Sequence, residues 1–519
     1  MMTTRLASIN KPRNIAKNCD NSKPSCPSSP LFPQAHHYLA ARNRRDPSTQ
    51  EEDDAPDESS NWQTEFGVCH APRLRVSQGH LIHVETLDCF QGKVRPASTI
   101  GTPETLPLCR PVNEGTRDDT THDEQNDNGS RNKDYNPYHA LQNMTRDQFN
   151  PVTGPIFVEG AEPGDLLAVT LLDIRPKGIG VACCSPGAGQ LSRLVARQHI
   201  QFFDLTRVDD CKDDDAPKDN QGDETSNKSN KGRPTVNKRP KLMVTMREDH
   251  DNSGIRENGD SKGLQNSSSL SLDCRVPPKI APISFVASPM LGVIGVAPAG
   301  TDVISTMPAG KHGGNLDNQA NCIGSTIYLT VNHPGALLSI GDMHAAQGDG
   351  EICGNGVEVA GDVLLTCQVL KQKDVYGSGC RTTELTRKEV DSAAVKCSKR
   401  QRRSQKNGTE PTTKEFSYIL EYPVTETATH WITHGVVTEN LAQTTVLACE
   451  EAAKLLVGQW GFAIEQAFCF LSVQGNLGWC QSCHPDRGTQ IAKMAVPKLP
   501  SSPRPFRTQH AAFNCDSDS

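Results

Sequence analysis

From Lys311 to Gly361 the chain reads KHGGNLDNQANCIGSTIYLTVNHPGALLSIGDMHAAQGDGEICGNGVEVAG. Two short apolar runs inside it, GSTIYLTV at 324–331 and GALLSI at 335–340, are bounded by Gly, Asn and Pro. Runs of this length with such flanks are buried strands rather than helices. The polar residues His312, Asp317, Asp342, His344, Asp349 and Glu351 therefore fall at strand ends and loops, where a rigid scaffold presents chemistry. Imidazoles and carboxylates bind divalent cations and move protons near neutral pH. The glycines between them permit tight turns and close backbone approach.

The same β pattern extends outward. Upstream, RLRVSQGHLIHVETLDCFQGKV at 73–94 alternates apolar and polar residues across a Gln-Gly turn, which predicts an antiparallel hairpin. NPVTGPIFVEGAEPGDLLAVTLLDI at 150–174 places Glu-Pro-Gly-Asp between two β-rich runs. LLAVTLLDI is too continuous for a surface strand and should be buried on both faces. ISFVASPMLGVIGVAPAG at 283–300 continues the pattern. Helical spacing appears only near the C-terminus, in TENLAQTTVLACEEAAKLLVGQWG at 438–461, with Thr438 as N-cap and Gly458 as stop, and in a shorter second helix after it.

Between these runs lie polar blocks that cannot bury enough apolar area to offset their ordering entropy. The expected organisation is a disordered leader over 1–60 (with HHYLAARNR a possible first strand) and an N-terminal β domain over 61–205. That domain carries a polar insertion at about 109–147. A disordered insertion at 206–277, a central β segment at 278–371 and another insertion at 372–413 follow. A C-terminal α/β segment at 414–505 and a tail at 506–519 complete the chain. The fold class is β-rich α+β: a mostly antiparallel sandwich or barrel-like core with a smaller helical part and long disordered insertions.

Composition agrees with that division. Of 519 residues only 35% are hydrophobic and 5% aromatic, so much of the chain lacks a core of its own. A net charge of −7 over this length gives no electrostatic case for nucleic acid or an anionic membrane. No apolar run approaches the roughly 20 residues of a membrane span, and the N-terminus has no apolar signal core, so a cytoplasmic location is expected. The 19 cysteines form no regular framework and read as free thiols.

The motifs HGGN-x-D at 312–317, GD-x-HA-x-QGDGE at 341–351 and GPI-x-VEGAEPGD at 154–165 are long and specific. Together with VETLDCFQGKVR, LGVIGVAPA and the C-terminal KMAVPK they make the chain resemble the acetamidase/formamidase family across most of 72–498 outside the insertions. The resemblance implies a β-rich fold, hydrolysis of short linear amides to a carboxylic acid and ammonia in nitrogen metabolism, and a divalent metal, with zinc expected. It also implies a homo-oligomer with a small amide as substrate.

Within that resemblance, His312, Asp342 and His344 are the candidate metal ligands, with Asp88 or Asp317 completing the set. Asp342 and His344 are two residues apart and share one face of an extended strand. Glu351, behind the Gly348–Gly350 turn, and Glu159 are candidates for proton transfer. Asn315, with the amides of Gly313 and Gly314, is the candidate oxyanion site. Other amidase chemistries find less support: Gly-x-Ser-x-Gly and a GGSSGG-like run are absent. Cys353 as nucleophile is a minor alternative, since buried free thiols are common. Cys480-Gln-Ser-Cys483-His484 matches the haem-attachment spacing, but it lies in the C-terminal segment of a chain showing no export signal, so no haem is expected. The rival to an enzyme is a member of the same fold that binds metal or amide without turnover.

Overall fold

The computed structural model describes residues 31–41, 60–97, 135–208, 241–247, 282–376, 418–438, 440–483 and 489–506. Residues 1–30 of the expected leader and most of the three polar insertions lie outside these.

The organising strand is Leu166–Cys184, nineteen residues long. Its first half is flanked on one side by Thr326–Thr330 and on the other by Glu358–Leu370, both antiparallel. Leu166, Leu167, Ala168 and Val169 are all buried, as the unbroken apolar run predicts for a strand covered on both faces. Its second half stays paired with Glu358–Leu370 as far as Val181 and gains His199–Asp204 on the other side from Ile179. Glu358–Leu370 in turn pairs with Leu81–Thr86. A neighbouring set centres on Leu338–His344, every residue of which is buried, between Met290–Gly295 and Val152–Val158. These strands belong to one large, curled, mainly antiparallel sheet, a half-barrel with few helices, and Glu65–Phe66 with Ile304–Ser305 forms a separate two-stranded sheet. The expected fold class holds.

The helical part sits on a C-terminal hairpin system made of His430–Thr438, Asn476–Gln481 and Thr489–Pro497. Helix Leu441–Trp460 packs Ala448, Ala452, Leu455 and Leu456 against Trp431, Met494 and Val496. Fully burying a Leu-sized side chain contributes about 1.5–3 kcal/mol, so this face holds the helix in place. Close approach depends on Gly435, where a Cβ would stand 2.3 Å from the Thr444 carbonyl oxygen. The helix starts at Asn440, whose side chain accepts from the Gln443 amide, not at Thr438. It ends at Gly461, which takes the left-handed conformation at φ 72°, so Gly458 is an interior position rather than the stop. The second helix, Ile464–Gln474, follows as expected. Phe506, in the expected tail, is buried against Tyr328 and Trp431.

Several local expectations need correction. The Gln-Gly turn forms, but Leu74–Val76 pairs in parallel with Ile156–Val158, while Leu81–Thr86 pairs with Gly361–Thr366 and, through Ile82–Val84, with His37–Leu39. Alternation is equally satisfied by strands that separate after the turn, which is why the hairpin was the natural reading. The leader contributes an ordered piece, because Phe32 and Leu39 are buried. Pro137–Gln142 is a short helix capped by Asn136 and anchored by Leu141, inside the expected polar insertion. KLMVTM, the strand Lys241–Met246, pairs with Phe203–Val208 and Ser284–Val286 in the middle of another.

Candidate active site

Strand Leu338–His344 carries Asp342 and His344 into the sheet interior, and its neighbour places Glu358 directly opposite His344. Asp317 comes from the loop after Gly313–Asn315, and Glu351 from the turn after Gly348. His344 Nε2 lies 3.1 Å from Glu358 Oε2, 3.5 Å from Asp342 Oδ2 and 3.9 Å from Asp317 Oδ1. A ligand atom of Glu351 lies within 4.8 Å of His344 and Glu358. All five side chains are shut from water, none more than 6% exposed.

The backbone is bent to bring them together. Asp317, Asp342 and Glu351 have φ of 41°, 53° and 42°, a region that residues with a Cβ enter at a cost of about 1–3 kcal/mol each. Two glycines make the space. A Cβ on Gly292 would stand 2.5 Å from Asp317 Oδ1 and 2.6 Å from Asp342 Oδ2, and one on Gly356 2.7 Å from His344 Nδ1.

Gln347 sets the protonation of the imidazole. Its amide nitrogen donates to the Asp317 carbonyl (2.6 Å), so its Oε1 faces His344 Nδ1 at 2.7 Å. Nδ1 must therefore carry the hydrogen, so in the neutral ring the Nε2 lone pair is turned towards the carboxylates. Lone pair against carboxylate is repulsive unless a proton or a cation lies between them. His344 Nε2, Asp317 Oδ1, Asp342 Oδ1 and Glu358 Oε2 are all buried without a hydrogen-bond partner. Four carboxyl groups around one imidazole, if all ionised, carry at least three uncompensated negative charges.

Titration behaviour reflects that crowding. Burial, with the Asp342 charge added, raises Asp317 to about 6. Burial raises Glu358 to about 8, the attraction of His344 only partly opposing it. Burial and then the Asp317 charge lift Glu351 well above the ordinary carboxylate range. For His344, burial opposes the charged ring, but Glu358 and Asp342 outweigh it and the pKa rises. Such a donor set fits a divalent cation, which neutralises the carboxylates and occupies the lone pairs together.

The C-terminal segment closes the other side. Gln481 Nε2 donates to Asp317 Oδ2 and, at 3.4 Å, to the Asn315 carbonyl. The Gly350 amide donates to the Trp479 carbonyl, the Ser482 amide to the Gly350 carbonyl, and Lys493 Nζ meets Asp349 Oδ1 at 2.5 Å. Cys483 Sγ lies 4.0 Å from Glu351 Oε2. The turn bearing Glu351 is thereby clamped by the segment containing the haem-like spacing. Cys480 itself packs with Val436 and Ile491, facing different surroundings from Cys483, and His484 lies outside the described residues.

Of the residues singled out from sequence, Asp342, His344, Asp317 and Glu351 converge. His312 does not join them. It is buried edge-on against Phe66, its ring centroid 5.1 Å away, and burial pushes its pKa down to about 4. Among the described residues no group of potential ligands within 4.8 Å of one another includes it. Asp88 uses its carboxylate to accept the amides of Phe90 (2.8 Å) and Gly92 (3.1 Å). Burial raises its pKa, yet it is the adjoining Cys89 whose sulfur lies near Asp342 and Glu358. Asn315 lies beside the cluster with Oδ1 buried and unpartnered. Glu159 is exposed on a surface turn, bonded to Ser77 Oγ at 2.7 Å, and is not brought to the cluster. Cys353 is half-buried and its thiol is raised by burial, the reverse of an activated nucleophile.

Glu358, Gln347 and Gln481 were missed. Glu358 had a signal: a carboxylate in V-E-V-A, where strand alternation around buried valines needs explanation. Gln347 lay inside the recognised motif. Gln481 had none, because its role depends on a contact 164 residues away in sequence.

A curled β half-barrel whose strand ends gather carboxylates around one imidazole is the framework within which the comparisons fall. The chain belongs to the acetamidase/formamidase family, which it matches over residues 104–305 and 299–478. It is 30% identical over 263 residues to an acetamidase of Mycolicibacterium smegmatis, covering 48% of this chain and 58% of that protein. It is 27% identical over 240 residues to a Schizosaccharomyces pombe protein provisionally named a formamidase, covering 44% and 54% respectively. The aligned part thus spans about half the length of these curated relatives. A crystal structure of a predicted acetamidase/formamidase from the thermophile Thermoanaerobacter tengcongensis shares the fold, with a TM-score of 0.50 at 23% identity over 89% of this chain and 95% of that one. Among the described residues no single helix is long and apolar enough to cross a membrane.

Proposed function

We propose that the protein hydrolyses short linear amides such as formamide or acetamide, with a divalent cation held by Asp317, Asp342, His344 and Glu358. The observation that carries this reading is the buried, mutually repelling carboxylate set whose unpartnered atoms face the His344 lone pair. Zinc is the ion expected; oxygen-rich sets with one imidazole also accept manganese. When bound, the ion lowers the pKa of a water towards neutrality and polarises a carbonyl.

The chain's own residues supply the rest. Gln347 keeps His344 in the tautomer that presents Nε2, and Gln481 fixes the Asp317 carboxylate. Glu351, buried and raised, holds a proton that it can deliver to the departing nitrogen. Asn315 is assigned to the developing oxyanion through its Nδ2 hydrogens, the amide oxygen being an acceptor only. Homo-oligomeric assembly belongs to the same proposal and rests on family membership alone.

The test is ammonia release from formamide and acetamide by protein as purified, stripped with chelator, and reloaded with zinc or manganese. Turnover lost on stripping and restored on reloading supports the reading. Turnover indifferent to chelation in metal-free protein overturns the metal assignment, and no turnover of either amide in any state overturns the substrate class.

A further inference from the structure

A second set of metal-binding side chains lies outside this cluster, in the segment Thr64-Glu65-Phe66-Gly67-Val68-Cys69-His70. The ligand atoms of Glu65, Cys69 and His70 all lie within 4.8 Å of one another. His70 Nε2 is 3.1 Å from Glu65 Oε1, yet it is sealed from solvent and makes no hydrogen bond of acceptable geometry. Two atoms that approach without pointing at each other are arranged as donors converging on a common third point. Around a tetrahedral ion with bonds near 2.0–2.1 Å, nitrogen and oxygen donors stand about 3.3 Å apart, close to the separation seen.

The local fold produces this arrangement. Strand Glu65–Phe66 is held antiparallel to Ile304–Ser305, which fixes the Glu65 end. The chain then turns back at Gly67, where a Cβ would stand 3.2 Å from Cys69 Sγ and 3.1 Å from Val303 Cγ2. A side chain at Gly67 would press on the sulfur and on Val303, so the glycine eases the return of the sulfur to the side of Glu65. Thiolate, imidazole and carboxylate together are a borderline-soft set, suited to zinc rather than to calcium or magnesium.

We propose that Glu65, Cys69 and His70 form a second, peripheral site for a zinc-class divalent cation, with the remaining coordination position open to water. Cys69 is exposed, so the site is reachable from solvent. It is coupled to the interior by Phe66, which is 1% exposed and packs edge-on against His312. An ion there fastens the strand whose aromatic ring covers His312.

Titration of the metal-stripped full chain with cobalt(II) tests this, because a thiolate ligand produces a near-ultraviolet charge-transfer band that carboxylate and imidazole do not. Parent protein should show the band, Cys69→Ser should abolish or clearly diminish it, and zinc per chain should fall by one ion. Among the described residues Cys89 and Cys483 also lie near carboxylates, so the diagnostic quantity is the difference between parent and Cys69→Ser. His70→Gln should weaken cobalt binding while keeping the band's thiolate character, and unfolding midpoints of the stripped variants should match the stripped parent. A band and a zinc count unchanged by Cys69→Ser overturn the proposal, as does parent protein that binds cobalt without any such band. The outcome is separable from the central site: a Cys69-dependent ion without amide turnover would leave this site standing and remove the other reading, and the converse result would do the reverse.

Discussion

Asp317 and Asn318 are consecutive, yet they enter two buried polar regions of opposite character. On the Asn318 side the groups are neutral and matched. His434 Nδ1 donates to the Pro423 carbonyl at 2.7 Å, and its Nε2 accepts from Asn318 Nδ2 at 2.9 Å. The amide orientation is fixed, since Asn318 Oδ1 accepts from the Ala320 amide. Thr425 Oγ1 donates to Asn321 Oδ1 at 2.7 Å, and Asn321 Nδ2 is the one atom of these four side chains without a partner. On the Asp317 side the groups are ionisable, crowded, and left facing one another. A satisfied network specifies a fold. A crowded, unsatisfied and ionisable one calls for an explanation, of which a bound ion is one. The contrast separates a histidine whose partners are matched, His434, from the one proposed to hold an ion, His344, although both are completely buried.

The sharpest way to break the comparison is to remove groups from the charged side. His344→Ala should lower bound metal and amide turnover together, because the ligand and the ion's chemistry are lost at once. Glu351→Gln should retain metal and lose about 10²–10⁴ in rate, the usual worth of a positioned acid or base. Metal analysis alongside turnover distinguishes the two. Normal metal content in His344→Ala, or parental turnover in Glu351→Gln, would show that these roles are misassigned.

Filling the space around the cluster tests whether its geometry matters apart from its groups. Gly292→Ala changes no ligand, but its methyl must displace the carboxylates of Asp317 and Asp342. A Cβ there would also stand 2.9 Å from the Asp342 carbonyl oxygen, so folding is checked alongside; metal affinity should fall at least tenfold, as about 10–100-fold is typical when ligand orientation is disturbed. Circular dichroism matching the parent, together with weakened zinc binding in a competition titration, is the expected pair of results. Parental affinity would mean that the cluster tolerates rearrangement.

On the neutral side the effect is on stability. Burial, with the Lys493 charge added and the Pro423 carbonyl partly opposing, pushes His434 from 6.5 to about 4. Between these values the unfolded chain binds the proton that the folded chain refuses, so stability rises with pH across the window. The contribution is intact above about pH 6.5 and is lost as pH falls towards 4. At 1.36 kcal/mol per pKa unit the full loss is about 3 kcal/mol. The neighbouring carboxyls titrate as well, so the quantity to measure is the difference between parent and His434→Gln. Urea midpoints taken at pH 7 and pH 5 should show a smaller acid loss in the variant. Equal acid losses would mean that His434 is not the buried neutral group described.

How much of this was readable beforehand depended on the range of the contacts. The strands 166–184 and 338–344 were legible because continuous apolar runs state their own burial. Asp342 and His344 were legible because they share a motif and a strand. Alternation, however, does not name a partner strand, which is why the 73–94 segment separates where a hairpin was expected. His312 had the right chemistry and a neighbouring motif, but its ring is turned onto Phe66, a packing choice invisible in sequence. Glu358 and Gln481 reach the site only through cross-strand and C-terminal contacts.

Glu159 provides the smallest expected effect and a control on motif-based assignment. It lies in GPIFVEGAEPGD, among the most specific segments of the chain, so the motif alone gives it the same claim to proton transfer as Glu351. Its surroundings do not. The side chain is exposed and bonded to Ser77 Oγ, and its charge acts on His37 rather than on any group of the cluster. A solvated carboxylate in one exposed hydrogen bond contributes little to stability and nothing to chemistry elsewhere. Glu159→Gln should therefore leave metal content unchanged and turnover within about a factor of two, since surface changes stay within about 0.5 kcal/mol. Turnover reduced by orders of magnitude, with metal intact, would return Glu159 to the reaction and require the surface turn to move onto the cluster during catalysis.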